Sequence, residues 1–326
     1  MPAEPLPITV IVPVYNGAAL LGETLTSALT QDPPPAKVIV VDDGSSDNPD
    51  AVLAAFPAVE VVRQKNQGVG AARNVGLRGS DTTYVMFLDQ DDRLLPGALA
   101  HAVKLLDDAP RAAFVSGRNR TIRADGEVWG DGAADVRPAV RRDHYRELLH
   151  QSWIVPPATV LFRRDLLVAA GGWSEDRRMK GADDYELYLR LARSYLVLDT
   201  DELYAEYRMH GANISSDARK MLDGITFVLC SEEPYTQGNP ELERARRSGL
   251  EFWQTMLGLK AAGQGLMKAA QSRHGLPAAV GKAVYVVARH PHFFSGLVKD
   301  HLAHASARAG WGGLRGVVTE TRRRLG

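Results

Sequence analysis

The stretch YVMFLDQDDRLLPG, residues 84–97, decides how this chain folds. An apolar run fit for burial stops at Leu88, and Asp89, Asp91 and Asp92 follow before Pro96 restarts the chain. Carboxylates packed this closely repel one another, and each one that loses water is pushed toward protonation. The stretch therefore reads as a buried strand over 83–88 whose end calls for positive charge.

Three earlier segments repeat the pattern of a β-branched run, a turn rich in Asp, Asn or Gly, and a helix-like stretch. Strands are predicted over 8–14, 37–41 and 59–62, with helices over 18–29, 49–56 and 69–78. Such alternation predicts an α/β fold, a doubly wound and mainly parallel sheet whose strands are apolar throughout because helices cover both faces. Ligands in such sheets bind beyond the carboxyl ends of the strands. PVYN (13–16), VDDGSSD (41–47) and LDQDD (88–92) all fall at those ends, so they share one rim and describe a cleft.

Beyond 106 the alternation loosens. Two strands around the Asp125-Gly126 turn, a helix over 140–150, a strand over 159–162, a helix over 185–193 and a strand over 195–198 complete a core domain near 215. Residues 216–326 read as a helical C-terminal extension. Within it the apolar stretch 278–298, broken by Lys282 and Arg289, fits a packed helical hairpin, a homodimer contact or a helix lying on a membrane surface.

Composition excludes more than it names. With 39 basic and 39 acidic side chains the formal net charge is +0, so no bulk attraction to nucleic acid is expected. The single cysteine, Cys230, leaves no internal disulfide and no zinc site of several thiolates. The N-terminal apolar run is too short for a signal peptide core or a membrane span, which fits a cytoplasmic protein, peripheral at the inner face of the membrane if the helices bind lipid.

Asp89 and Asp91, one residue apart at a strand end, suit a hard divalent cation such as Mn2+ or Mg2+, shared with the phosphate oxygens of a ligand. Alone, the same residues are equally an acidic helix start. Asp42 and Asp43 precede a tight turn at Gly44, in a pocket where a carboxylate can accept a hydrogen bond from a base edge. NQGVGAARNVG (66–76) holds half of a dinucleotide fingerprint, but Arg73 stands at the third glycine position. That disfavours a dinucleotide-binding dehydrogenase and leaves Arg73 to pair with phosphate or with a surface acid.

The ordered motifs ITVIVPVYNGAALLGETLTSALTQ, VIVVDDGSSDN, NQGVGAARNVGL, YVMFLDQDD, GGWSED, GADDYELYLRL and YRMHGANIS resemble those of family 2 glycosyltransferases of GT-A fold over roughly residues 7–216. The resemblance implies a GT-A domain over 1–215, with a nucleotide-sugar half of about 1–110 and an acceptor half of about 111–215. It implies an inverting transfer from a nucleoside diphosphate sugar, most often UDP-linked, to a hydroxyl of a glycan, lipid-linked or small-molecule acceptor. By the same resemblance Pro13, Tyr15, Asn16 and Asp42 line the nucleoside site, Arg73, Asp89 and Gln90 lie at the donor, and Asp91 holds the metal with His210 beside it. Asp184 matches the catalytic base. Asp183, where the family often has Glu, lies with Trp153 on the acceptor side, and Trp173 and Glu175 follow on the next loop. Bacterial cell-surface glycan synthesis is the family's commonest setting.

Two other readings stay open. A dehalogenase-type phosphatase also opens on an acid pair, but on its first strand rather than its fourth. A degenerate nucleotide-sugar or glycan-binding module would keep the fold and lose turnover.

Overall fold

The computed structural model describes residues 4–129, 143–179, 181–211 and 213–272. The first half follows the alternation: β1 (Leu6–Val14), α1 (Ala18–Leu29), β2 (Pro35–Asp42), α2 (Pro49–Leu53), β3 (Glu60–Arg63), α3 (Val69–Gly79) and β4 (Tyr84–Phe87). These four strands lie in the order β3-β2-β1-β4, every pair parallel.

Both faces are covered, as apolar strands require. Val38 and Val40 of β2 join Val10 and Val12 of β1 against Leu21, Leu25 and Ala28 of α1. Ile39 and Val41 point the other way, to Ala72 of α3. The α3 side is tight: a Cβ on Gly76 would stand 2.3 Å from Ile11 Cγ2, so only glycine lets this helix approach β1. Each aliphatic side chain buried here stabilises the fold by about 1.5–3 kcal/mol.

The second half turns the sheet mixed. It comprises β5 (Arg93–Leu94), α4 (Ala98–Asp107), β6 (Ala112–Arg123), α5 (His144–His150), β7 (Val160–Arg163), α6 (Arg164–Ala169), α7 (Asp183–Ser194) and β8 (Leu196–Met209). β7 runs antiparallel to both β4 and β6, β6 pairs parallel with β8, and β5 closes the eight-stranded sheet antiparallel to β8. The expected turn at Asp125-Gly126 is present, with Gly126 at φ 88° and its N–H donating to Arg123 O. One expectation is corrected: the strand anticipated over 195–198 continues to Met209. Its charged second half pairs in the sheet, with Glu206 bound by Arg93 and Arg120.

α8 (Ala218–Ser231), α9 (Glu233–Thr236) and α10 (Pro240–Ser272) follow. Glu232, 4% exposed, anchors this segment by accepting from Tyr145 Oη at 2.6 Å and Arg193 Nη1 at 2.8 Å. Gly249 of α10 lies so close to α5 that a Cβ would meet Leu149 O at 2.0 Å. By contacts the chain divides after Gln254, which places residues 216–254 in the same unit as the sheet. The stretch 278–298 lies outside the described residues. Among the described residues no helix is long and apolar enough to cross a membrane.

Candidate active site

The carboxyl ends of β1, β2 and β4 meet in a lattice of side-chain to backbone bonds. Ile11 O accepts the Leu88 N–H where the β4 ladder stops, so Pro13, two residues further and buried, needs no donor on that side. Tyr15 is 50% exposed, and its backbone is clasped by Gln90, whose Oε1 accepts the Tyr15 N–H at 2.8 Å and whose Nε2 donates to Tyr15 O at 3.2 Å. Asn16, at φ 52°, uses its Oδ1 to accept from Ser46 N–H, and its own N–H donates to Ser45 Oγ. Asp42 Oδ1 accepts the Ser45 N–H at 2.9 Å. The neighbouring Asp43 accepts from Gln64 Nε2, Gln67 N–H and Gly68 N–H and so fixes the loop that leads into α3.

Each carboxylate of the acidic stretch meets its own partner. Asp89 Oδ1 accepts from Arg73 Nη2 at 2.8 Å. Asp91 Oδ2 lies 2.7 Å from His210 Nε2. Asp92, 1% exposed, accepts the Arg208 N–H at 2.9 Å. Burial, then the charge of Asp89, raises the Asp91 pKa above the ordinary carboxylate range, and burial with Asp91 and Asp89 raises that of Asp92 well above it.

Arg73 is not at the surface. The guanidinium is 4% exposed, its Nη1 donates to Asp183 Oδ2 at 2.8 Å, and its Cζ lies 4.1 Å from the Trp173 ring centroid. Trp173 is correspondingly 2% exposed, edge-on to Phe87 at 5.0 Å. The ring is spent on Arg73 and the core. Glu175 Oε1 accepts from Asn74 Nδ2. Trp153 is partly buried beside His144, ring centroids 6.1 Å apart.

The acid pair starts α7, and its two members differ. Asp183 is held by Arg73. Asp184 Oδ1 accepts the Tyr185 N–H at 2.7 Å, and no donor reaches its Oδ2 among the described residues. Burial first, then the adjacent Asp183 charge, pushes the Asp184 pKa up to about 7. Beneath them lies Tyr188, fully buried, its hydroxyl without a hydrogen-bond partner among the described residues. A carboxyl with one anchored oxygen, one open oxygen and a pKa near neutrality can take up and release a proton under working conditions.

Residues 9–169 match the model of glycosyl transferase family 2. The chain carries a family 2 glycosyltransferase domain. An uncharacterized protein of Mycobacterium tuberculosis is 32% identical over 206 residues, 58% of this chain and 63% of that protein. The chondroitin synthase of Escherichia coli is 26% identical over 219 residues, 64% of this chain but only 30% of the synthase. Among solved structures, the mannosyltransferase PcManGT from Pyrobaculum calidifontis, in complex with GDP-Man and Mn2+, gives a TM-score of 0.59 at 20% identity, covering 96% of this chain and 89% of that one. TarS 1-349 of S. aureus in complex with UDP-GlcNAc gives 0.53 at 17%, covering 86% and 88%. At these identities the structural likeness establishes a GT-A-type fold.

In this glycosyltransferase domain the residues that could hold a divalent cation are Asp91 and His210, an oxygen and an imidazole nitrogen brought together within a concentration of negative charge. Among the described residues no third His, Cys, Asp or Glu joins them into a larger cluster. That fits an ion of the magnesium type, which takes one or two protein ligands and fills its other positions with phosphate and water. The sequence reading missed Arg208, although it lies inside the quoted YRMHG; its signal was an arginine within a strand otherwise read as ended.

Proposed function

We propose that this protein transfers a sugar from a nucleoside diphosphate sugar, UDP-linked, to an acceptor hydroxyl, with inversion at the anomeric carbon, in the assembly of a bacterial surface glycan. The observation that carries the reading is the contrast within the acid pair: Asp183 is paired with Arg73, while Asp184 keeps one open oxygen and a pKa of about 7.

The rim at Pro13, Tyr15, Asn16 and Asp42 holds the nucleoside. Tyr15, its backbone clasped by Gln90, presents its exposed ring for stacking on the base, and Asp42 faces the base edge. Asp89 orients the ribose or donor sugar, itself held in place by Arg73. When bound by Asp91 and His210, Mn2+ or Mg2+ supplies Lewis-acid stabilisation of the charge on the departing diphosphate. Asp184 removes the proton of the acceptor hydroxyl, which forms the new bond to the anomeric carbon as the bond to the diphosphate breaks. A single displacement from the face opposite the leaving group inverts the configuration. Positioned proton removal contributes about 10²–10⁴ in rate.

The names of similar proteins support the chemistry and its ingredients: UDP-GlcNAc in TarS, GDP-Man and Mn2+ in PcManGT, and a chondroitin synthase among the sequence relatives. A panel of UDP-, TDP- and GDP-sugars, assayed for nucleoside diphosphate release with manganese or magnesium and again with chelator, tests the proposal. Metal-dependent release from a UDP-sugar, accelerated by acceptor glycans, is the expected result. Tight nucleotide binding with no release from any donor, with or without acceptor, would favour a binding module instead.

A further inference from the structure

We propose that Arg208, with Asn213, positions the Asp91 and His210 pair and so sets the affinity of the protein for its divalent cation. The inference rests on the metal-dependent reading of the site given above. Asp91 and His210 lie 119 positions apart in the chain, one on the loop after β4 and one at the end of β8, yet their ligating atoms must converge to within a few tenths of an ångström. The β5–β8 ladder brings the two segments together coarsely, through Arg93↔Glu206 and Leu94↔Ala205. It stops short of both ligands.

Arg208 supplies the remaining registration. It is 1% exposed and stands two residues before His210. Its N–H donates to Asp92 Oδ1 at 2.9 Å and its Nε to Asp91 O at 2.9 Å, so one residue of β8 grips the backbone and side chain on either side of the Asp91 linkage. Nη1 donates to Ala124 O at 2.9 Å and Nη2 to Glu23 Oε2 at 2.6 Å, fixing the plane of the guanidinium from the hairpin and from α1. On the other side Asn213 Nδ2 donates to Arg208 O at 3.0 Å while its Oδ1 accepts the His210 N–H at 2.6 Å. The backbone of His210 is thereby tied to the same residue that holds Asp91. A planar fork with fixed donor directions can make these bonds together; a lysine ammonium, a point charge on a flexible stem, cannot.

Arg208 and Asn213 are positioning residues, touching neither donor nor acceptor in the proposed reaction. The test is Mn2+ binding in the presence of UDP, read by electron paramagnetic resonance on the full chain for wild type, Arg208→Lys, Asn213→Ala and Asp91→Ala. UDP binding in chelator and thermal unfolding are measured alongside. The expected result is wild-type Mn2+ binding that weakens about 10- to 100-fold in Arg208→Lys and in Asn213→Ala, with metal-free UDP binding unchanged. Asn213→Ala keeps the test decisive if Arg208→Lys fails to fold. Binding as tight as wild type in the folded variants, with Asp91→Ala alone impaired, would overturn the positioning role and leave the metal site standing. No Mn2+ binding by wild type would overturn the metal reading with it.

Discussion

Arg73 and Asp183 meet at 2.8 Å across 110 positions of chain, and this bond joins α3 to the first turn of α7. The same guanidinium holds Asp89 at 2.8 Å, so one buried cation separates two carboxylates that would otherwise repel. Removing one partner of a buried pair costs about 3–5 kcal/mol because the charge left behind has no compensation. Arg73→Ala should therefore lower the free energy of unfolding by that order, and Arg73→Lys by less. Urea denaturation read by circular dichroism measures both; wild-type stability in Arg73→Ala would contradict the bridge.

Asp184 should be visible in the pH profile. Its pKa is pushed up to about 7 by burial and by Asp183, and a base must be ionised to act. Transfer should fall as pH drops through about 7, and kcat/KM plotted against pH should show that limb. A profile flat well into the acid range would place the base elsewhere.

The same shift has a stability consequence of fixed sign. A carboxyl whose pKa is higher in the folded chain than in the unfolded one stabilises the fold fully below the unfolded value, and that stabilisation is lost as pH rises from about 4 through about 7. Asp184→Asn should consequently equal wild type in acid and exceed it above neutrality, by about 2–4 °C in Tm for each kcal/mol regained. Differential scanning calorimetry at both ends of the range checks the crossover.

Gly17 should matter through Gln90. An alanine Cβ there would stand 2.1 Å from Gln90 Cδ, while the backbone at φ −128° accepts alanine without strain. The amide must swing away and release the Tyr15 N–H and C=O. Donor KM should rise about three- to tenfold, the worth of a typical hydrogen bond, with stability nearly unchanged. Gln90→Ala should do the same, and the double variant no more, because both remove one clasp. Additive effects would show that Gly17 acts by another route.

Gly249 tests whether the first part of α10 belongs to the folded domain. Alanine there would press on Leu149 O at 2.0 Å, and overpacking of this kind costs about 1–3 kcal/mol. Thermal unfolding of Gly249→Ala as a single, earlier transition is expected; an unchanged midpoint would mean that α10 contributes nothing to the domain's stability.

The architecture was legible where one signal dominated. β1 to β4 and their helices stand within a few residues of the apolar runs that predicted them, because both faces of a parallel sheet are dry. β8 was underread for the opposite reason. Asp199, Asp201, Glu202, Glu206 and Arg208 break its apolar pattern, and the partners of Asp201, Glu206 and Arg208 in β5, β6 and α1 lie far away in sequence. The acid cluster itself announced a site, yet the cation meeting each acid is chosen by the fold. Nothing local says that Arg73 turns inward over Trp173 rather than out to a ligand, or that Asp43 rather than Asp42 carries the loop bonds.

Nucleoside diphosphate release from a UDP-sugar, measured with acceptor and manganese for wild type and Asp184→Asn, tests the central claim most directly. Release by wild type, reduced about 10²- to 10⁴-fold in the variant while UDP binding holds, is the predicted result. Asp184→Asn turning over as fast as wild type would contradict it.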